Sequence, residues 1–208
     1  MTTTRLLPAW TCKCFSANIS LLLVVLGAVL ILTGCNNTMV VPGSKEGLMY
    51  QKAVAALNQK AQSLMTSGDS NGAVCRLESA LDLLPEEPQT MSNLAIAYHS
   101  AERYPQAITL YEKMAQKQPA KAGFYLKYAG ISFEAQGDKL MSMVSDPALS
   151  NQAKDNRKAA LDSYNQAITR YESALSDRNG LNEQDAKMLD AQMKNLQTQI
   201  QRIKSGEV

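Results

Sequence analysis

Residues 54–87 read VAALNQKAQSLMTSGDSNGAVCRLESALDLLPEE, and residues 88–121 read PQTMSNLAIAYHSAERYPQAITLYEKMAQKQPAK. When the second segment is placed under the first, six of seven marker positions match in character. The matching pairs are Ala61 and Ala95, Leu64 and Tyr98, Ala73 and Ala107, Leu77 and Tyr111, Ala80 and Met114, and Pro85 and Pro119; Gly68 and Glu102 differ. A period of 34 residues indicates stacked helix–turn–helix units.

The residue types at these positions suit packed helices. Alanines such as Ala61 and Ala95 allow two helices to approach closely, and tyrosines such as Tyr98 fill the space between neighbours. Proline cannot continue a helix, so Pro85 and Pro119 end their units. From about Ser44 onward apolar residues recur every three or four positions, so the sequence predicts an all-α fold.

The pattern resembles the tetratricopeptide repeat (TPR), which has a small residue in its first helix, alanine opening its second and proline closing the unit. The resemblance implies a TPR α-solenoid of about three helix–turn–helix repeats with a C-terminal capping helix. We expect a TPR domain at 44–178. Its repeats are expected at about 54–87, 88–121 and 122–175.

The third unit departs from the regular period. Its first helix contains Tyr125, Tyr128 and Ala129 and is expected to end at Gly137-Asp138. The second-helix signature, Ala160, Tyr164 and Ala167, then arrives about 19 residues late. The extra segment 139–157 is a loop with or without a short helix, or an extension of both flanking helices, and the sequence does not decide between these.

A last helix is predicted at 181–204, after Asn179-Gly180. Its apolar positions form one narrow seam: Leu189, Met193, Leu196, Ile200 and Ile203. Such a helix caps a solenoid, because terminal repeats need an outward-polar cover. A self-associating coiled coil is the alternative, although the seam covers barely two heptads.

The N-terminal residues 1–34 have the pattern of a signal peptide. Two positive charges and no acids precede an apolar run at Leu21–Leu32, which small residues follow. Twelve residues span about 18 Å as a helix, against roughly 30 Å of bilayer hydrocarbon, so a membrane span fits poorly. An uncleaved signal anchor using residues 19–34 remains an alternative.

The residues Leu32-Thr33-Gly34-Cys35 resemble the lipobox of bacterial lipoproteins. That resemblance implies cleavage before Cys35 and attachment of lipid (diacylglycerol, then usually an acyl chain such as palmitate) to Cys35. Several acyl chains give stable membrane anchoring. Lipoproteins that are retained in the inner membrane have aspartate after the lipidated cysteine, and this chain has Asn36 there, which implies the outer membrane. Residues 35–43 are then the lipidated N-terminus and tether.

Cysteine use and charge restrict the function further. Cys12 and Cys14 precede the cleavage point and Cys35 is used by lipid, so Cys75 alone remains and no internal disulfide forms. Two of the 21 basic residues precede Cys35 and none of the 19 acidic ones does, so the part from Cys35 onward is formally neutral. Without a basic surface, nucleic acid is not an expected partner.

The sequence offers no catalytic pattern. Its single histidine, His99, excludes a two-histidine metal site, and its eleven glycines form no phosphate-binding loop. We therefore predict a non-enzymatic protein with no cofactor and no metal. A small-ligand binder or enzyme remains a remote alternative, which would need a polar pocket near His99.

The TPR resemblance implies a concave groove made by the first helix of each unit. The groove positions are Asn58, Gln62, Met65, Ser92, Ile96, His99, Leu126 and Phe133. The lysines and arginines with which some TPR proteins bind carboxylates are absent from these positions, so we expect apolar anchors with amide hydrogen bonds. The alternative for Leu126 and Phe133 is packing against the insertion or the C-terminal helix.

Together these features predict an outer-membrane lipoprotein that faces the periplasm and acts as an adaptor for protein partners of the cell envelope. Small TPR lipoproteins of this kind resemble those of pilus assembly, pilotin-like or of tight-adherence (Flp) pili. A scaffold or regulator of cell-wall hydrolases, or of outer-membrane protein insertion, is the alternative. The sequence leaves the oligomeric state open.

Overall fold

The computed structural model describes residues 45–207, and within this range every regular element is helical. The seven α-helices of this range are α1 (Lys45–Thr66), α2 (Ser70–Leu83), α3 (Pro88–Ser100), α4 (Tyr104–Lys117), α5 (Ala122–Val144), α6 (Ala153–Asp177) and α7 (Glu183–Ser205). The all-α prediction is confirmed. Cys35 and the predicted lipobox, signal peptide and tether lie outside the described residues. No helix of the described range is long and apolar enough to cross a membrane.

Short polar turns with defined caps separate the first four helices. Gly68, at φ 85°, follows α1, and the Asp69 side chain accepts from the Gly72 N–H to begin α2. The Glu87 carboxylate accepts from the backbone N–H groups of Gln89 and Thr90 at the start of α3. These caps fix the starts of α2 and α3, whereas Arg103, before α4, makes no side-chain capping bond.

The helices pack in chain order, each against the next, and α1 also contacts α3. Alanines lie where helices cross: Ala61, Ala73 and Ala80 in the first hairpin and Ala95 and Ala107 in the second are essentially inaccessible to solvent. Small side chains at the crossing points let the helix axes approach closely. Large neighbouring side chains fill the remaining space in each interface. Leu77 and Tyr111 do this in successive hairpins.

The α5–α6 hairpin depends on glycines spaced seven residues apart. A Cβ atom at Gly130 would lie 2.4 Å from the Tyr171 ring, and one at Gly137 would lie 2.5 Å from the Tyr164 ring. Both tyrosine rings are fully buried, and Tyr171 donates a 2.6 Å hydrogen bond to the Glu134 carboxylate. The glycines therefore provide the room that the tyrosines of α6 occupy.

The expectation that this helix ends at Gly137-Asp138 is wrong. The helix α5 continues to Val144, because Gly137 serves close packing against Tyr164 and does not end the helix. Segment 139–157 extends both flanking helices, and a 3₁₀ turn at Pro147–Gln152 joins them. Of the alternatives left open by the sequence, helix extension is the one observed.

Helix α7 turns its apolar seam toward the rest of the chain. Leu189, Leu196, Ile200 and Ile203 are buried in one cluster with Tyr164 and Tyr171, and Met193 packs against that cluster. At its start, Asp185 completes a capping box with Asn182 and accepts a 2.8 Å bond from Lys127, whose side chain is 8% exposed. The seam is thus covered within the chain, which favours the capping interpretation over self-association.

Candidate functional site

A groove runs between α1 and α3, and Leu84, just after α2, also lines it. Its main hollow has a volume of about 620 Å³, and a second hollow of about 280 Å³ continues it along the same two helices. Three side chains line both hollows: Gln62, Gln89 and Asn93. We call this continuous surface the α1–α3 groove. Other residues that line the groove are Val54, Asn58, Gln59, Met65, Leu84, Glu87 and Ile96.

Four of the eight predicted groove residues meet here. Asn58 and Gln62 line the main hollow, and Met65 and Ile96 line the second one together with Gln62. Ile96 is 46% exposed, a high fraction for a large apolar side chain. Ser92 lies in an adjoining hollow of about 330 Å³, which Gln89 and residues at the start of α5 also line.

The other three predicted residues lie elsewhere. Leu126 and Phe133 pack against the cluster that α6 and α7 form with α5. The Arg170 guanidinium on α6 lies 5.5 Å from the centre of the Phe133 ring and also pairs with Glu112 at 2.7 Å. Helix α6 therefore covers this side of α5, and the packing alternative describes both residues.

His99, the third, is half-buried in a polar contact between α3 and α5. Its Nδ1 lies 3.0 Å from the hydroxyl of buried Ser132, which itself donates to the Tyr128 carbonyl. A serine has one hydroxyl proton, so Nδ1–H of a neutral imidazole must donate to Ser132. Burial lowers the pKa of His99, in agreement with a neutral ring. No group of three or more potential ligands in residues 45–207 could hold a metal ion.

A chain of hydrogen bonds links the polar residues of the α1–α3 groove. Asn58 Nδ2 donates to the buried Thr90 hydroxyl at 2.7 Å, and that hydroxyl donates to Glu87 at 2.6 Å. Asn93 Nδ2 donates to Asn58 Oδ1 at 2.7 Å, and Gln89 Nε2 donates to Asn93 Oδ1 at 3.0 Å. The five side chains form one connected network across two helices.

The Glu87 carboxylate sets the direction of every bond in this network. An ionised carboxylate only accepts, so the Thr90 hydroxyl must donate to it and can then only accept from Asn58. The Asn58 amide is thereby oriented with its oxygen toward Asn93. Asn58 uses both of its N–H donors, on the Val54 carbonyl and the Thr90 hydroxyl. Asn93 and Gln89 each keep part of their donor and acceptor capacity, so the groove presents oriented peptide-like groups.

Sequence reasoning missed Glu87, Thr90, Gln89 and Asn93. Gln89 occupies the second position of its repeat unit, which the TPR resemblance itself assigns to the concave surface, so that signal was present. Asn93 is adjacent to the predicted Ser92. Thr90 and Glu87 act from the helix cap behind the groove, and nothing in the repeat pattern marks them.

Comparison with protein-family models and with curated proteins found no match to this chain.

Proposed function

We propose that this chain is a non-enzymatic adaptor that binds an extended segment of a partner protein in the α1–α3 groove. The observation that carries the proposal is the combination of apolar side chains, exposed Ile96 and half-buried Met65, with an oriented amide network along one groove. Ile96 and Met65 supply apolar contact, while Gln89, Asn93 and Gln62 supply donors and acceptors. An extended peptide segment offers matching groups, because its backbone carries amide donors and acceptors and its alternate side chains can place apolar groups in the groove.

The amide network suits a peptide backbone better than a charged ligand. Glutamines and asparagines carry no charge, and the one ionisable side chain among the principal lining residues is Glu87, which is occupied in capping α3. The rigid arrangement reduces the ordering cost of binding, because Asn58, Thr90 and Asn93 already hold one another in place. A partner segment would thus be recognised by shape, apolar anchors and backbone hydrogen bonds.

The repeat pattern and the N-terminal sequence supply the setting. We infer a TPR array of about three repeats, anchored by lipid on Cys35 in the outer membrane and facing the periplasm. In that position the groove would hold a component of an envelope machine, and a pilus or secretion system is the candidate favoured by the likeness to pilus TPR lipoproteins. The expectation of a pilus or secretion system rests on a likeness at the level of fold. The chemistry of the α1–α3 groove supports protein binding and does not point to a particular machine.

Two experiments separate the parts of this proposal. Labelled palmitate should be incorporated into the natural chain in its own host and lost in Cys35→Ala; incorporation that persists in the variant would contradict the lipid anchor. A photocrosslinking amino acid placed at position 96 should capture a defined envelope protein in living cells. The same crosslinker at Met188, an exposed methionine on α7, should not capture that protein.

A further inference from the structure

The first turns of α1 expose a row of large apolar side chains. Leu48 is 50% exposed, Met49 is 71% exposed and Tyr50 is 38% exposed. Five large apolar side chains are exposed in the part of the chain that the structure describes, and these three are consecutive. Successive helical residues point about 100° apart, so these three side chains surround the end of α1. We call them the apolar row, and a cluster of exposed apolar side chains at one place is typical of a contact surface.

This end of α1 extends beyond the hairpin to which the helix belongs. Leu84, the residue that caps the end of α2, lines the same hollow as Gln51 and Val54 of α1. Helix α1 has 22 residues and α2 has 14, and only residues 67–69 join them, so the first turns of α1 extend past the end of α2. The residues Lys45–Tyr50 span about 9 Å of this helix at 1.5 Å per residue. Leu48 and Met49 therefore lie on a part of α1 that α2 does not cover, although the neighbouring Gly47 is buried.

The position of this end of α1 in the chain indicates what it contacts. Nine residues separate Lys45 from Cys35, so the two residues lie at most about 36 Å apart at ~3.3–3.6 Å per step. If Cys35 carries lipid, as the proposed function holds, the tip of α1 is the described part of the chain nearest to the anchor in sequence. Lys45 and Lys52 flank the apolar row and Glu46 lies beside it, all three exposed, so the local charge is +1 and suits anionic headgroups.

We propose that Leu48, Met49 and Tyr50 form a membrane contact, in which the first turns of α1 enter the headgroup region of the bilayer that holds the lipid anchor. The occupant of the apolar row is a lipid surface. This inference rests on the lipid anchor of the proposed function and adds an orientation to it. The α1–α3 groove begins at Gln51, so its main hollow would open next to the membrane.

The composition of the chain allows a direct test. Its one tryptophan is Trp10, which precedes Cys35, so the processed protein contains none. Met49→Trp then provides a single fluorescent reporter in the proposed contact. Met188→Trp is the matched control, because Met188 is also an exposed methionine on a helix, at 40% exposure, but lies on α7. Both substitutions are at exposed positions, and circular dichroism melting checks that each variant folds.

Lipidated, processed protein, purified from cells, is reconstituted into vesicles of phosphatidylethanolamine and phosphatidylglycerol. The emission of Met49→Trp should move to shorter wavelength, and lipids brominated near the headgroup end of the acyl chains should quench it, since interfacial helices enter only about 5–10 Å. The emission of Met188→Trp should remain that of a water-exposed tryptophan and should not be quenched.

The other outcomes contradict the proposal in distinguishable ways. If Met49→Trp floats with the vesicles but emits as in water, the membrane contact is wrong and the lipid anchor stands. An emission shift without quenching by brominated lipid, which grows with protein concentration, would show that a second copy covers the apolar row. If the natural chain fails to float with vesicles, both the lipid anchor and the membrane contact are wrong.

Discussion

The Asn58 side chain on α1 donates a 2.7 Å hydrogen bond to the buried Thr90 hydroxyl on α3. This bond joins two helical hairpins at the wall of the α1–α3 groove. Thr90 in turn depends on Glu87, which caps α3 with the same carboxylate. The residues that orient the groove are therefore also the residues that fix the start of α3, and groove geometry and stability are coupled.

Replacing Thr90 by valine should destabilise the fold by about 1–3 kcal/mol, because the Asn58 amide and the Glu87 carboxylate each lose a partner while shape is kept. In a chain of this size that corresponds to a fall in Tm of roughly 2–4 °C for each kcal/mol. Thr109→Val on α4 is the matched control, since that hydroxyl is exposed and bonds only to its own helix. Equal melting temperatures for the two variants would contradict the network.

Gly130→Ala should destabilise the chain, although alanine is ordinarily the better residue inside a helix by about 1 kcal/mol. The added methyl group would meet the Tyr171 ring, which is buried and held by Glu134, so strain of about 1–3 kcal/mol outweighs the gain in helix propensity. Thermal or urea unfolding measures the difference. In a Tyr171→Leu background the same substitution should cost less, and a cost unchanged by that background would contradict the packing account.

The single histidine should make stability depend on pH in a predictable direction. Burial lowers the pKa of His99 in the folded chain below its unfolded value of about 6.5, so the unfolded state binds more protons between these two values. Stability therefore falls as the pH drops below about 6.5, until the folded pKa is passed. In the His99→Phe variant, the free energy of unfolding should depend less on pH over this window. An imidazole pKa by NMR that equals or exceeds the value in urea would contradict this prediction.

The helical class could be predicted because the repeat spacing of alanine, tyrosine and proline reports the contacts between successive helices. The extension of α5 beyond Gly137 could not be predicted from the sequence. A glycine followed by aspartate at 137–138 resembles a helix end in sequence, and only the partner Tyr164, 27 residues away, shows that Gly137 makes room inside a helix. Long-range packing decided that feature.

The groove was predicted in part for a similar reason. Asn58, Gln62, Met65 and Ile96 lie on helix faces that the repeat pattern identifies, and the structure brings them together. Phe133 occupies an equivalent repeat position, but Arg170 of α6 lies over its ring. Glu87 and Thr90 act from the turn before α3, where local capping geometry determines their role.

The most direct test of the central claim is the affinity of the crosslinked partner, once purified, for two charge variants. Ile96→Glu places a carboxylate in the α1–α3 groove, and Met188→Glu places one at a comparably exposed apolar position on α7. Isothermal titration calorimetry should show that Ile96→Glu weakens binding by about tenfold or more, or at least ~1.4 kcal/mol, while Met188→Glu leaves it within about twofold of the natural chain. Unchanged affinity in Ile96→Glu, or an equal loss in both variants, would contradict binding in the groove.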